Sequence, residues 1–315
     1  MNSKKRYESG LTLIELMIAM VISIIVMAAI YKVYQSQQKA YVTQQMVIEM
    51  QQNARAAISL MTREIRMAGY KPAASDGIDN DGADGADDDD PNRDYPGGLP
   101  GVLIAKKDQI RFTMDIFPDA DPDLCSDGID NDGDSSTDEA DECIFDGDTN
   151  DAGEDITYQL QANAAGDGKD LVRITSTGTN ILAYDIEAIA FGYAFDWDKD
   201  ALLDTYTDTD GKVKAFWAYD SGMGILDKNA EKNAALAPMG PPVLEPPDNV
   251  PLIGAVKIWI LARTPNPIRG EADKNTYQVG DRLFVPPGKT GDVTYNPGYR
   301  RTLQTATVYC RNLRF

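Results

Sequence analysis

The sequence predicts an α+β protein: a long N-terminal helix, transmembrane in its first half, packed on an antiparallel β-sheet that carries acidic loop insertions. Three observations predict it. Residues Leu11–Ile30 form an almost uncharged apolar run. Apolar or small residues continue at helical spacing to Ala68, with no proline from Leu11 to Tyr70. Beyond residue 100, short segments rich in Val, Ile, Tyr, Phe and Thr are bounded by Gly, Pro, Asp and Asn, the pattern of strands and turns. A helix layered on a sheet is the arrangement that buries both apolar faces.

Composition narrows the chemistry. The 315 residues include 50 acidic and 30 basic ones, a net charge of −20. So acidic a chain repels phosphate, which argues against direct nucleic-acid binding. There is no histidine, so the Ser-His-Asp triad, His-ligated zinc and C-x-x-C-H haem attachment are excluded. Three cysteines cannot make a four-thiolate zinc site. The acidity is local: Asp76–Asp155 holds 27 acidic and 4 basic residues, and the remainder 23 acidic and 26 basic.

The first element is the helix. Leu11–Ile30 contains one charge, Glu15, and as a helix would span about 30 Å, the hydrocarbon thickness of a bilayer. Lys4, Lys5 and Arg6 precede it and hold the N-terminus in the cytoplasm. No A-x-A-like cleavage site follows, so the segment is expected to stay in the membrane. Glu15 is the anomaly, since a carboxylate within a membrane helix usually marks function. If the chain were cut after Gly10, the new α-amino group of Leu11 would lie within reach of such a carboxylate on the same or a neighbouring helix. Past Ile30 the stripe runs Tyr34, Tyr41, Ile48, Ala54, Ile58, Met61, Ile65 and Ala68, the face of an amphipathic helix. It predicts packing on a globular domain, with a coiled coil as the alternative. Gly69 and Pro72 are stop signals. A helix from Leu11 to Ala68 would be about 87 Å long.

Gly10-Leu11-Thr12-Leu13-Ile14-Glu15, behind a short basic leader, resembles the type IV prepilin signature. The resemblance implies that a prepilin peptidase cuts after Gly10 and N-methylates Leu11, where the family usually has Phe. It implies that Glu15 pairs with the α-amine of an adjacent subunit and seats it in a filament. It divides the chain into a leader (1–10), a transmembrane half-helix (11–30), an amphipathic half-helix (31–69) and a β-rich domain (70–315) with acidic insertions at 75–94 and 119–155.

Strands are predicted at Gln109–Phe117, Ile156–Ala162, Leu171–Ser176, Ile181–Phe195, Val213–Tyr219, Val256–Arg263 and Thr302–Arg311. In Val256–Arg263 the alternation is weak. Between Pro238 and Pro251, six of 14 residues are proline, a stiff strand-free loop. The size, the order of elements and the run Thr302–Phe315 resemble the PilW-type minor pilins and the related J-type minor pseudopilins of type II secretion.

The octapeptide SDGIDNDG occurs at Ser75–Gly82 and again at Ser126–Gly133, a duplicated device. The second copy places Asp130, Asp132, Asp134, Asp138 and Asp141 at offsets 1, 3, 5, 9 and 12. The first has Asp79, Asp81, Asp87 and Asp90 at the same offsets, with Ala83 at the third of them. A third stretch has Asp196, Asp198, Asp200 and Asp204, with Thr207 last. Those offsets are where side chains converge on Ca²⁺ in an EF-hand loop, because the hard ion takes six to eight oxygens. The sixth position is Ser135, Asp84 or Ala201 rather than Gly, and the twelfth is never Glu, so these are not EF-hands. The second copy resembles the Asp-rich calcium loops of extracellular bacterial and thrombospondin-type repeats, often closed by cysteines. By that resemblance Cys125 and Cys143 would form a disulfide around 17 residues, contributing about 3 kcal/mol in an oxidising compartment. The bland readings are a solvated acidic loop for the first two copies and a polar hairpin turn for the third. Cys310 is expected to be a small buried apolar residue.

Together these imply a non-enzymatic minor type IV pilin that binds calcium, inserted in the inner membrane before it joins an extracellular pilus. Its partners would be the prepilin peptidase, other pilins and a tip adhesin. The alternatives are a minor pseudopilin of a type II secretion system and a membrane-anchored, calcium-dependent adhesin outside any filament. An enzyme is disfavoured, because the carboxylates occur as chelating runs and not as an isolated acid–base pair.

Overall fold

The computed structural model describes residues 12–70, 101–116, 153–163, 166, 168–196, 202–207, 210–220, 226–227, 253–268, 270–285, 289–290, 293–294 and 298–313. Met1–Glu49 and Met50–Phe315 form separate compact units. The first contains most of α1, a continuous helix over Leu13–Met67. Its apolar side chains from Leu13 to Ile30 are exposed, including Ile14, Met17, Ile24 and Met27. The helix is long and apolar enough to cross a bilayer. Ser23 turns its hydroxyl back to the Ala19 carbonyl at 2.7 Å, which satisfies the hydroxyl donor on an apolar stretch of surface.

In the second unit the helix buries one face: Met50, Ala54, Ala57, Met61, Ile65 and Ala68. Spacings of three and four keep these on one side of the cylinder. The stripe expected from Tyr34 onward is therefore covered only from Met50; Tyr34, Tyr41 and Ile48 are exposed, and Ile58 is half-buried. No coiled-coil partner is needed for the covered part, because the sheets supply the cover.

Five strands make an antiparallel meander: β1 (Val102–Ala105), β2 (Gln109–Thr113), β3 (Asp155–Ala162), β4 (Lys169–Thr175) and β5 (Gly178–Ala183). Next come β6 (Ile186–Phe195), the short strands β7 (Thr205–Thr207), β8 (Val213–Ala215), β9 (Tyr219–Asp220) and β10 (Leu226–Asp227), and β11 (Ile253–Arg263). The chain ends with β12 (Tyr277–Val279), β13 (Arg282–Phe284), β14 (Lys289–Thr290), β15 (Val293–Thr294), β16 (Arg301–Tyr309) and a 3₁₀ turn at Arg311–Leu313. A second sheet has the order β16-β11-β6, also antiparallel. The Pro238–Pro251 stretch lies outside the described residues.

One predicted strand was too long. Ile181–Phe195 is two strands in two sheets, broken at Tyr184–Asp185. Asp185 takes φ +56°, a left-handed conformation that Asp tolerates better than most residues. Its N–H donates to Asp170 Oδ1 at 3.0 Å, and its carbonyl accepts the Arg263 N–H at 3.0 Å. Shorter corrections follow the same logic. Gln109–Phe117 ends as a strand at Thr113, and Val213–Tyr219 divides between β8 and β9.

The weak alternation of β11 has a packing cause. Val256, Ile258 and Ile260 are fully buried on one face, while Trp259 and Leu261 are buried on the other. That second face meets Tyr219 together with Val279 and Phe284 of the β12–β13 hairpin. A strand covered on both sides needs no polar positions. Register matches volume: Trp259 lies opposite Ala190, Leu261 opposite Ala188 and Lys257 opposite Gly192. A Cβ on Gly192 would come within 2.9 Å of the Tyr219 ring and 3.2 Å of Trp259. Lys257 caps this cluster with its ammonium 5.0 Å from the Trp259 ring and 5.5 Å from Trp217.

Candidate assembly and loop sites

The N-terminal site begins at Thr12, one residue before the helix. Its hydroxyl donates to Glu15 Oε2 at 2.8 Å and its N–H to the same oxygen at 2.9 Å, while the Glu15 N–H reaches back to Thr12 Oγ1 at 3.4 Å. This reciprocal pairing is a capping box: two backbone donors at a helix start are satisfied by two side chains three residues apart. Glu15 Oε1 makes no hydrogen bond among the described residues. Sequence reasoning singled out Glu15 and missed Thr12, although T-x-x-E ahead of an apolar run is a readable signal. Gly10 and Leu11 lie outside the described residues.

At its far end the helix is fastened to the first sheet by one carboxylate. Glu64 accepts the Arg173 Nε–H at 3.0 Å and is hydrogen-bonded by the Tyr158 hydroxyl. Tyr158 and Arg173 are direct cross-strand partners on β3 and β4, so register alone brings them to one point. Burial first, and then the Glu64 charge, push the Tyr158 phenol well above its ordinary value. The second sheet is fastened at the other end of the turn: the Cys310 thiol approaches the Ile65 carbonyl at 3.6 Å. Cys310 is buried just past β16, as expected of a small apolar residue. A buried arginine, Arg301, bridges Glu187 and Asp273, with Nη1 to Asp273 at 3.1 Å. None of these long-range pairs has a local sequence signal.

The acidic copies at Asp79, Asp81, Asp87 and Asp90, and at Asp130, Asp132, Asp134, Asp138 and Asp141, lie outside the described residues, as do Cys125 and Cys143. Their roots do not. Gly69 N–H donates to Thr113 O at 3.0 Å, Asp115 N–H to Tyr70 O at 2.9 Å and Thr113 N–H to Gly101 O at 2.7 Å. Met114 N–H donates to Glu154 O at 3.0 Å, and Ile116 N–H to the Glu154 carboxylate at 2.8 Å. The residues flanking both insertions are thus stitched together at one corner of the first sheet. In the third stretch, Asp196 is 1% exposed at the end of β6. Asp204 returns beside it, its N–H donating to Phe195 O at 2.8 Å and its carbonyl accepting the Phe216 N–H at 2.9 Å. Asp198 and Asp200 lie outside the described residues. Nearby Tyr193 is raised by burial first, then by the charges of Asp220 and Asp108; its hydroxyl donates to Lys106 O at 2.9 Å.

Comparison with known proteins gives two matches along the chain. Residues 148–312, just over half of it, match the family model described as Type IV Pilus-assembly protein W. Residues 5–31 match the prokaryotic N-terminal methylation motif. No curated protein matches. Among solved structures, a type IV-like pilin from Thermus thermophilus aligns over 84% of this chain and 97% of its own, at 14% identity and a TM-score of 0.35.

Proposed function

The chain belongs to the type IV pilus-assembly protein W family, and we propose from that premise that it is a minor pilin, a structural subunit that serves in pilus initiation or at the tip. The observation that carries the reading is Glu15, held by Thr12 at the start of an apolar helix whose surface is exposed. Cleavage after Gly10 would make Leu11 the first residue and place its α-amine one residue from the capping box. Glu15 Oε2 is occupied by Thr12; Oε1 is the acceptor left for the amine of a neighbouring subunit. The capping box orients the carboxylate in advance, so pairing costs little further ordering. The helix N-terminus itself favours the negative charge. Before assembly the helix anchors the chain in the inner membrane, with the leader on the cytoplasmic side where the prepilin peptidase acts. On the outer side the acidic loops bind calcium and order surfaces that meet other minor pilins or a tip adhesin. Two features support the metal: the recurrence of the ligand offsets of a calcium loop in three places, and the neck of the third, where Asp196 and Asp204 sit at hydrogen-bonded strand ends.

Mass spectrometry of the native N-terminus tests the core of this reading. The expected mature peptide begins with N-methyl-Leu11. Glu15→Ala is expected to leave the protein in the membrane and lower its recovery in sheared pili severalfold. Protein that keeps residues 1–10 and is absent from the pilus fraction would overturn the proposal.

A further inference from the structure

β6 and β16 border the second sheet on its two sides, and the fold treats them differently. In an antiparallel ladder alternate residues bond to the neighbouring strand, and the others turn N–H and C=O outward. On β6 the outward residues are met. Arg282 Nη2 donates to Ile189 O at 2.9 Å, and Phe191 N–H to Lys107 O at 2.9 Å. Tyr193 and Ala218 exchange both backbone bonds, at 2.9 and 2.7 Å, and Asp204 N–H donates to Phe195 O at 2.8 Å. On β16, Cys310 N–H donates to Gly254 O at 3.0 Å, and Arg300 O accepts the Thr264 N–H at 2.9 Å. The register between, from Ala255 opposite Tyr309 to Arg263 opposite Arg301, is unbroken. The even-numbered residues therefore face β11, and Leu303, Thr305, Thr307 and Tyr309 turn outward. Among the described residues, none bonds to the backbone of these four.

Thr305, Thr307 and Tyr309 are exposed. The strand has none of the devices that blunt an edge: no proline, no lysine and no register shift. Charge selects the occupant. From Arg300 to Phe315 there are four arginines and no acidic residue, in a chain of net charge −20. Glu271 holds Arg300, whose side chain stays 48% exposed, and Lys257 adds a cation opposite Thr307. An antiparallel second copy centred on Thr305 would set Arg300 and Arg301 against Tyr309–Arg311 of its mate, cation beside cation at both ends. Carboxylates at the ends of an incoming strand would instead be attracted there. We propose that β16 accepts a strand from a different polypeptide, an extended, proline-free segment with acidic residues at its ends, which continues the sheet along Leu303–Tyr309. Backbone bonds supply the affinity, and the arginine-flanked ends supply the selection. The inference goes beyond pilus membership and needs only the sheet edge, so it stands or falls apart from the processing of the N-terminus.

The test uses the full chain in detergent micelles and a fluorescent synthetic peptide, Asp-Thr-Val-Thr-Val-Thr-Asp with blocked ends. The peptide is expected to bind about tenfold tighter than its fully N-methylated copy, which cannot donate backbone hydrogen bonds. Replacing its two Asp by Lys should weaken binding severalfold. Bound peptide should slow amide exchange about tenfold at Leu303, Thr305 and Thr307, and leave Gln304 and Ala306, already bonded to β11, unchanged. Thr305→Pro removes an outward N–H without breaking a bond to β11, and should abolish that slowing, whereas Thr305→Val should keep it. If Thr305→Pro loses its native circular dichroism, the methylated and Lys-ended peptides on the wild-type chain decide alone. Equal binding of the methylated copy, or slowing elsewhere than at those three amides, would overturn the proposal. So would slow exchange there in the monomeric chain without peptide, which would mean an edge already covered, or a dimer that protects the same amides, which would make a second copy the occupant.

Discussion

Glu64 carries more of the helix–sheet contact than any other single polar side chain that the structure describes. It is 14% exposed and faces an arginine 21% exposed, so the pair is largely shielded from solvent. Removing one partner of a shielded pair costs more than the pair is worth, because the other charge and the buried hydroxyl lose the partner they have among the described residues. Glu64→Ala is therefore expected to cost about 2–3 kcal/mol, read as a lower urea midpoint at unchanged slope. The same group gives a pH signature. Tyr158 is raised by burial and then by Glu64, so its folded value lies above the unfolded one, about 10. Its contribution is complete below pH ~10 and declines as pH rises beyond it. Titration at 295 nm should find Tyr158 still neutral above pH ~10 until the fold is lost. The alkaline loss should be shallower in Glu64→Ala; identical profiles would place the alkaline lability elsewhere.

At the scale of elements, the helix end shows how a stop signal works. Gly69 takes φ +73°, and its N–H donates to Thr113 O. A Cβ there would overlap Leu313 Cδ2 and lie 3.1 Å from the Asn312 carbonyl. Gly69→Ala combines a left-handed strain with a clash, expected to cost about 1–3 kcal/mol and to lower the thermal midpoint by several degrees. A melt equal to wild type would mean that the 3₁₀ turn at Arg311–Leu313 simply yields. Gly69 was legible in the sequence as a helix stop, and so was the helix itself, because 3.6-residue periodicity and the absence of proline are local properties. The central strands of both sheets were legible for the same reason. The corner at Asp185 was not, since nothing in Ala-Tyr-Asp-Ile announces a left-handed residue until Asp170 and Arg263 are there to hold it. Nor was the division into two sheets. The second face of β11 is covered by Tyr219 and a hairpin that includes Val279 and Phe284, two partners separated by about sixty residues. Thr12 was legible and overlooked; Tyr158 and Arg173 were not, because their meeting at Glu64 depends on register across β3 and β4.

Across the whole molecule, charge is separated by segment. The span Asp76–Asp155 has a net charge of −23, whereas everything else amounts to +3. Much of this charge belongs to segments rooted at one hydrogen-bonded corner beside Tyr70, Gly101, Ile116 and Glu154. Like charges tethered to one place repel, and divalent cations relieve that repulsion most where carboxylates recur at ligand offsets. If calcium binds the folded chain and not the unfolded one, a tenfold excess over Kd adds about 1.4 kcal/mol per site, a few degrees in the thermal midpoint. Extracellular loops of this kind bind at about 10⁻⁴–10⁻³ M, so the effect should build up at millimolar calcium. The full chain in detergent is therefore expected to melt several degrees lower in chelator than in millimolar calcium, and protease cuts within Asp76–Asp90 and Asp127–Asp141 should accelerate with it. Magnesium at the same concentration should restore less, because it keeps its waters and demands octahedral geometry. Sodium chloride at matched ionic strength separates screening from ligation. Recovery with salt alone, or a melt indifferent to chelator, would leave these segments as solvated acid and remove calcium from the function.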